Sequence, residues 1–87
     1  MNYYYENVPG LGNIALSRHA QERAAAQSIS DEAVEETLMY GKDTPDGMDT
    51  IWREHNGVRL VIITPTPFRG AKLVKTMYRV QGQETVR

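Results

Sequence analysis

The 87-residue chain contains no cysteine. That absence excludes disulfide bridges, thiolate zinc sites and cysteine nucleophiles, and it leaves the redox compartment open. Two histidines, His19 and His55, are too few for a histidine-rich metal site. No apolar run approaches the ~20 residues that a membrane-spanning helix needs. The opening residues Tyr3, Tyr4, Tyr5 and Glu6 are not the basic and then greasy start of a signal peptide. The stretch Pro9-Gly10-Leu11-Gly12 is far from a phosphate-binding fingerprint. No metal motif stands out, no Ser-His-Asp order can be defended, and nothing calls for a cofactor. Asp31, Glu32, Glu35 and Glu36 cluster on one expected helix, where they read as capping and solubility.

Net charge is also small, −1, which argues against a generic nucleic-acid binder. The total conceals an asymmetry. Residues 1–41 carry −4 and residues 42–87 carry +3; between Arg53 and Arg79 six basic residues face Glu54 alone. A solvated sheet face would explain this, and so would a local anion-binding surface. Composition is otherwise that of a globular protein, 40% hydrophobic and 24% charged. A chain this short buries only ~60% of its unfolded surface, so one domain with one modest core is expected.

Residues 1–16 read as an extended leader or linker, with Pro9, Gly10 and Gly12 as breakers and Tyr3–Tyr5 as a possible edge strand. Ser17 is placed to cap a helix from Arg18 to Gln27, rich in Ala, Gln, Glu and Arg. Ser28-Ile29-Ser30 breaks it. Ser30 caps a second helix, Asp31 to Tyr40, with Asp31 and Glu32 in its first turn, and Gly41 sits where a left-handed terminal residue is wanted. Thr44-Pro45-Asp46-Gly47 signals a turn. The period then changes to two. Over Thr50 to His55, Ile51, Arg53 and His55 share one face, while Thr50, Trp52 and Glu54 share the other. Asn56-Gly57 is a strong hairpin signal. Val58 to Thr64 is β-branched and nearly continuous, as in a central strand. Pro65, Pro67 and Gly70 mark a loop, and Lys72 to Val80 forms the last strand. The domain proper runs over 17–82, and 83–87 is a polar tail. The expected fold class is α+β, with two N-terminal helices on one face of a meandering antiparallel sheet.

Three groups of residues could carry chemistry. His19 and Arg23 stand four apart at a helix start, so their side chains share one face. An imidazole moves protons near neutral pH, and a guanidinium holds an anion with two parallel hydrogen bonds. On the final strand Thr76 and Tyr78 point to one side, and Lys75 and Arg79 to the other. A hydroxyl and a phenol on an exposed face suit a phosphodiester, although both residues are also good strand formers. Arg53 and His55 precede the hairpin, with Arg59 across it. Arg53 sits mid-strand, where a cation on a solvent face would be isolated without a partner. With Lys72 these form the candidate RNA-binding set: Arg53, His55, Arg59, Lys72, Lys75 and Arg79.

The run L-S-R-H-A-Q-E-R-A, followed by S-I-S-D-E-A-V-E-E-T-L, resembles a family of small bacterial domains. Their signature reads S-x-H-A-x-x-R and then I-s-x-x-x-V-x-x-x-L. That family is similar to the barnase/EndoU/colicin/RelE (BECR) superfamily of ribonuclease toxins, and the likeness covers about residues 15 to 80. The resemblance implies N-terminal helices packed on a four- or five-stranded antiparallel sheet that binds RNA. It implies a toxin at the end of a larger surface protein, as in contact-dependent growth inhibition or Rhs systems. Such a toxin is delivered from the producer cell to the target-cell cytoplasm and is neutralised by a cognate immunity protein. The segment N-V-P-G-L-G-N is similar to the linkers that precede such domains.

The expected activity is metal-independent cleavage of RNA, with transfer RNA first by resemblance. The ribose 2′-hydroxyl attacks phosphorus and leaves a 2′,3′-cyclic phosphate. His19 would move a proton as base or acid, Arg23 with Arg53 or Arg79 would hold the phosphate, Tyr78 would donate a proton or stack on a base, and Thr76 would orient the phosphate. The alternatives are a RelE-like, ribosome-dependent mRNA interferase of a toxin–antitoxin pair, or a non-catalytic protein- or RNA-binding module.

Overall fold

A β-hairpin comes first in the fold, ahead of both helices. The structure, a computed structural model, describes residues 2–68 and 70–80. β1 (Tyr4–Val8) and β2 (Gly12–Leu16) pair antiparallel, closed by the Leu11 amide on the Val8 carbonyl at 3.0 Å. α1 (Arg18–Ala26) and α2 (Asp31–Tyr40) follow, then β3 (Lys42–Pro45), β4 (Thr50–His55), β5 (Val58–Phe68) and β6 (Ala71–Arg79). The strands form one six-stranded sheet in the order β1-β2-β6-β5-β4-β3. β2 runs parallel to β6, and the other pairs are antiparallel.

This corrects the expected architecture in two respects. The helices are not N-terminal, because residues 4–16 contribute two strands to the sheet. The sheet is mixed, because β2 docks in parallel beside the last strand. A parallel neighbour needs a crossover connection, here made by everything from α1 to β5. The polar tail expected over 83–87 lies outside the described residues. Among the described residues no helix is long and apolar enough to cross a membrane.

The helices obey their local signals. The Ser17 hydroxyl accepts from the Ala20 amide at 3.0 Å, and the Ser30 hydroxyl from the Ala33 amide at 3.1 Å. α1 ends in a left-handed residue, Ser28 at φ 56°. The Ile29 amide returns to the Ala24 carbonyl and the Ser28 amide to that of Ala25, which satisfies the last carbonyls. The expected Asn56-Gly57 turn is present with both residues at positive φ, 50° and 79°, the mirror-image turn that matches strand twist.

Gly41 differs from expectation. Its φ is −72°, so no left-handed conformation is involved. Space is the reason for glycine. An added Cβ would lie 2.5 Å from the Thr37 carbonyl oxygen and 2.6 Å from Arg53 Cγ. Gly41→Ala is therefore expected to lower stability by roughly 1–3 kcal/mol, because a backbone oxygen cannot step aside. A shifted urea midpoint with an unchanged slope would register this.

β5 also runs further than expected, through the region read as a loop. β4 pairs with β5 only up to Thr50–Ile63. The Thr64 amide still donates to the Asp49 carbonyl at 2.9 Å; beyond it no strand among the described residues pairs with β5 on the β4 side, so Pro65 and Pro67 sacrifice no ladder bond there.

Ile14, Leu16, Leu60, Ile62, Val74 and Met77 cover one face of the sheet and meet Ala20 and Ala24 of α1 and Val34 and Leu38 of α2. Alanines on α1 allow its backbone a close approach. Tyr5 packs at the edge of this core, its hydroxyl buried without a hydrogen-bond partner among the described residues. Burial, aided by the Asp31 and Glu35 carboxylates, pushes that phenol up to about 12. A folded-state value above the unfolded 10.0 stabilises below pH 10 and is lost as pH rises towards 12. Tyr5→Phe is expected to hold its stability better than the parent across that window, as read by urea unfolding at each pH.

Candidate functional site

Among the described residues, no helix packs on the second face of the sheet. Strand alternation places Trp52 and Glu54 of β4, Arg59, Val61 and Ile63 of β5, and Thr76 and Tyr78 of β6 on it. The expected division of β4 into two faces holds. On β6 the alternation is broken once. Val61 pairs with Thr76 but Ile62 pairs with Val74, so Lys75 is an extra residue, a β-bulge. The bulge lets Val74 and Met77 both face the core and moves Leu73 to the open face beside Ile63. Thr76 and Tyr78 share a side, as expected.

Arg59 is the centre of this face. Its guanidinium carbon lies 4.1 Å from the centroid of the Trp52 ring and 5.6 Å from that of Tyr78. Arg59 Nη1 donates to the Tyr78 hydroxyl at 3.2 Å, and Nε donates to the Glu54 carboxylate. The Trp52 indole N–H donates in turn to Asp46 at 3.1 Å. Partial burial alone would lower the Arg59 pKa, but the hydrogen bonds to Tyr78 and Glu54 more than offset it and hold the group above its ordinary value. The result is a fixed cation on an aromatic plane, a contact worth roughly 0.5–2 kcal/mol. The Tyr78 hydroxyl accepts from Arg59 and keeps its own proton free to donate.

The other expected site residues are distributed differently. Arg53 faces the core side and is 5% exposed. It grips Asp43 with two bonds of 2.6 and 2.9 Å and donates to the carbonyls of Leu38 at 2.7 Å and Pro9 at 3.0 Å. It is a clasp between four segments and is not available to RNA; its partner Asp43 lies on a strand the sequence did not reveal. His55 also faces the helix side, 3.7 Å from a Glu36 carboxylate oxygen and beside the Tyr40 ring. Arg79 closes α1, donating to the Gln27 carbonyl at 2.9 Å and the Ser28 carbonyl at 2.7 Å. Lys72 pairs in register with Ile14, on the core side, and Lys75 is the exposed bulge residue.

His19 and Arg23 lie on α1, exposed and half-buried respectively. α1 packs on the face opposite Thr76 and Tyr78, so the sheet lies between the His19 imidazole and the Tyr78 phenol, which were expected to act on one phosphate. The start of α1 is nevertheless fastened to β6. β2 ends opposite Val74, where the Ser17 amide donates to the Val74 carbonyl at 3.0 Å and the Ser17 hydroxyl to the Lys75 carbonyl at 2.9 Å. The turn bearing His19 thus begins beside the bulge, one residue from Thr76.

That turn is electrostatically inverted. α2 places Asp31 and Glu32 in its first turn, whereas α1 has no acidic residue there and carries Arg18 and His19 instead. A cation at the positive end of a helix dipole costs roughly 0.3–1 kcal/mol. Hollows among the described residues lie elsewhere. One, about 740 Å³, runs along Lys42, Glu54, His55 and Gly57 at the end of the sheet. The other, about 350 Å³, lies on α2 between Glu32, Glu36 and Tyr40.

Sequence reasoning missed Trp52, Glu54 and Asp46. A signal was present for the first two: Trp52 and Glu54 share a face of β4, and the Asn56-Gly57 turn sets Arg59 opposite Glu54. Comparison with family models, curated proteins and solved structures returns no match for this chain.

Proposed function

We propose that this domain is an endoribonuclease toxin whose RNA crosses the β6 bulge between the start of α1 and the open face of the sheet. The observation that carries the reading is the first turn of α1. Arg18 and His19 stand against the helix dipole where Asp or Glu would be favourable, and that turn is fastened at the bulge one residue from Thr76. A phosphate there relieves the conflict: it meets the positive end of the dipole and the Arg18 cation together.

In this reading His19 moves a proton, as base for the 2′-hydroxyl or as acid for the departing 5′-oxygen. Arg23 supports the phosphate from the same helix face. Thr76 orients it, and Tyr78 supplies the second proton-carrying group from the open face. The motif resemblance supports transfer RNA as substrate, with delivery into a target cell and a cognate immunity protein as the wider setting.

A second reading is a non-catalytic RNA- or protein-binding module. The placement of His19 and Tyr78 on opposite sides of the sheet favours it. Brief induction followed by sequencing of cellular RNA ends separates the two. The toxin reading expects growth arrest and new 2′,3′-cyclic phosphate termini at fixed positions. Normal growth with unchanged RNA ends would leave only the binding module.

A further inference from the structure

We infer that the Trp52–Arg59–Tyr78 group on the open sheet face is a stacking subsite for an unpaired nucleobase, so the RNA this domain takes is single-stranded where it crosses β5 and β6. The inference rests on the proposed RNA reading and specifies the class of RNA.

The argument starts from what the group lacks on its outer side. A guanidinium is a flat cation with two faces. One face of Arg59 is spent on Trp52, 4.1 Å away. Its edge donates to Glu54 and Tyr78, and its central carbon also lies 5.6 Å from the centroid of the Tyr78 ring. The side chain keeps 20% of its surface in solvent on a face that no helix covers. A nucleobase laid on the part of this group left in solvent extends the stack of Trp52, Arg59 and Tyr78. Bases in single strands are bound in this way, on aromatic or guanidinium planes. A paired base cannot enter, because its faces are taken by its neighbours in the duplex.

Preorganisation supports the same conclusion. Asp46 anchors the indole, Glu54 and Tyr78 anchor the guanidinium, and Trp52, Arg59 and Tyr78 are all carried on paired strands. Little ordering entropy remains to be lost on binding. The surroundings favour RNA over a protein partner. Glu54 already pairs with the Arg59 charge, so what the patch offers a ligand is a flat cation held on aromatic rings, which suits the π-face of a base. A nucleotide brings its own anion, and Thr76 stands on the adjacent strand to receive it.

Trp52 is the single tryptophan of the chain, so its emission reports this subsite directly. The test titrates the intact domain with a short unstructured 2′-O-methyl RNA, which cannot be cleaved, and with a blunt duplex of the same sequence. The single strand is expected to change Trp52 emission saturably, and the duplex is expected to bind at least tenfold more weakly. Arg59→Lys keeps the charge and removes the plane; it is expected to weaken the single strand on the order of tenfold, the usual scale for one stacked base. Circular dichroism of the variant checks that it is folded. Equal affinity for duplex and single strand, or full affinity in folded Arg59→Lys, would overturn the subsite. Emission that responds to a carboxylate-rich peptide and not to RNA would assign the face to a protein partner. Cleavage is scored separately: RNA cut without any Trp52 response defeats the subsite alone, and a Trp52 response without cleavage defeats the toxin reading alone.

Discussion

Arg53→Ala is expected to cost about 3–5 kcal/mol of folding stability, the range for breaking a buried charged pair from one side. For a domain whose total stability lies between ~5 and 15 kcal/mol, that is enough to unfold much of the population at growth temperature. The reason is geometric. Arg53 is 5% exposed, and its guanidinium joins β4 to Asp43 on β3, to the Leu38 carbonyl near the end of α2 and to the Pro9 carbonyl in the β1–β2 turn. Truncation leaves two backbone carbonyls and a carboxylate without their donor, and it opens a cavity under Gly41. Asp43→Asn is expected to cost less, because the Asp43 side chain is 41% exposed and water takes over part of its role, while Arg53 keeps both carbonyls. Urea unfolding followed by far-ultraviolet circular dichroism ranks the two. A phosphate-binding Arg53 would behave otherwise, losing RNA affinity with little change in stability.

Arg53 also shows where reading the chain stops. Its face was legible, since Ile51, Arg53 and His55 alternate with Thr50, Trp52 and Glu54. Its burial was not, because the partners arrive from Pro9, Leu38 and Asp43, none of them a neighbour in sequence. The same distinction holds across the fold. Ser17, Ser30, Asn56 and Gly57 act within a few residues, so their caps and turn could be recognised directly. The parallel pairing of β2 with β6 spans most of the chain and leaves no local trace. Asn7 to Gly12 carries strong turn residues, and these mask a hairpin as a linker. The bulge at Lys75 is equally silent, yet it decides which side of β6 faces the core before and after it. Thr76 and Tyr78 could be paired from alternation because both lie after the bulge; Leu73 could not be joined to them. For the site, the consequence is that residue types were identified more readily than their assembly. Thr76 and Tyr78 share one face; Arg59, grouped in the sequence with Arg53 and His55, joins them there and not its hairpin neighbours, and His19 and Arg23 approach from the other.

That separation makes His19→Ala the decisive substitution for function. RNA cleavage is expected to fall by roughly 100- to 10,000-fold, the usual worth of a positioned proton-transfer group. Stability should remain within about 0.5 kcal/mol of the parent, because the imidazole is exposed and contributes nothing to the core. Tyr78→Phe is expected to impair cleavage as well, but through a different route. It removes the partner of Arg59 Nη1, so the guanidinium loosens on Trp52 and binding weakens along with the rate. His19→Ala should leave the Trp52 response to uncleavable RNA intact, whereas Tyr78→Phe should diminish it. The pairing of a rate loss without a binding loss at His19, and both losses at Tyr78, is what an RNA crossing β6 at the bulge, past the end of β2, requires. Full cleavage in His19→Ala together with its loss in Tyr78→Phe would move the chemistry wholly onto the open face. The inverted first turn of α1 would then be a phosphate anchor at a distance from the scissile bond.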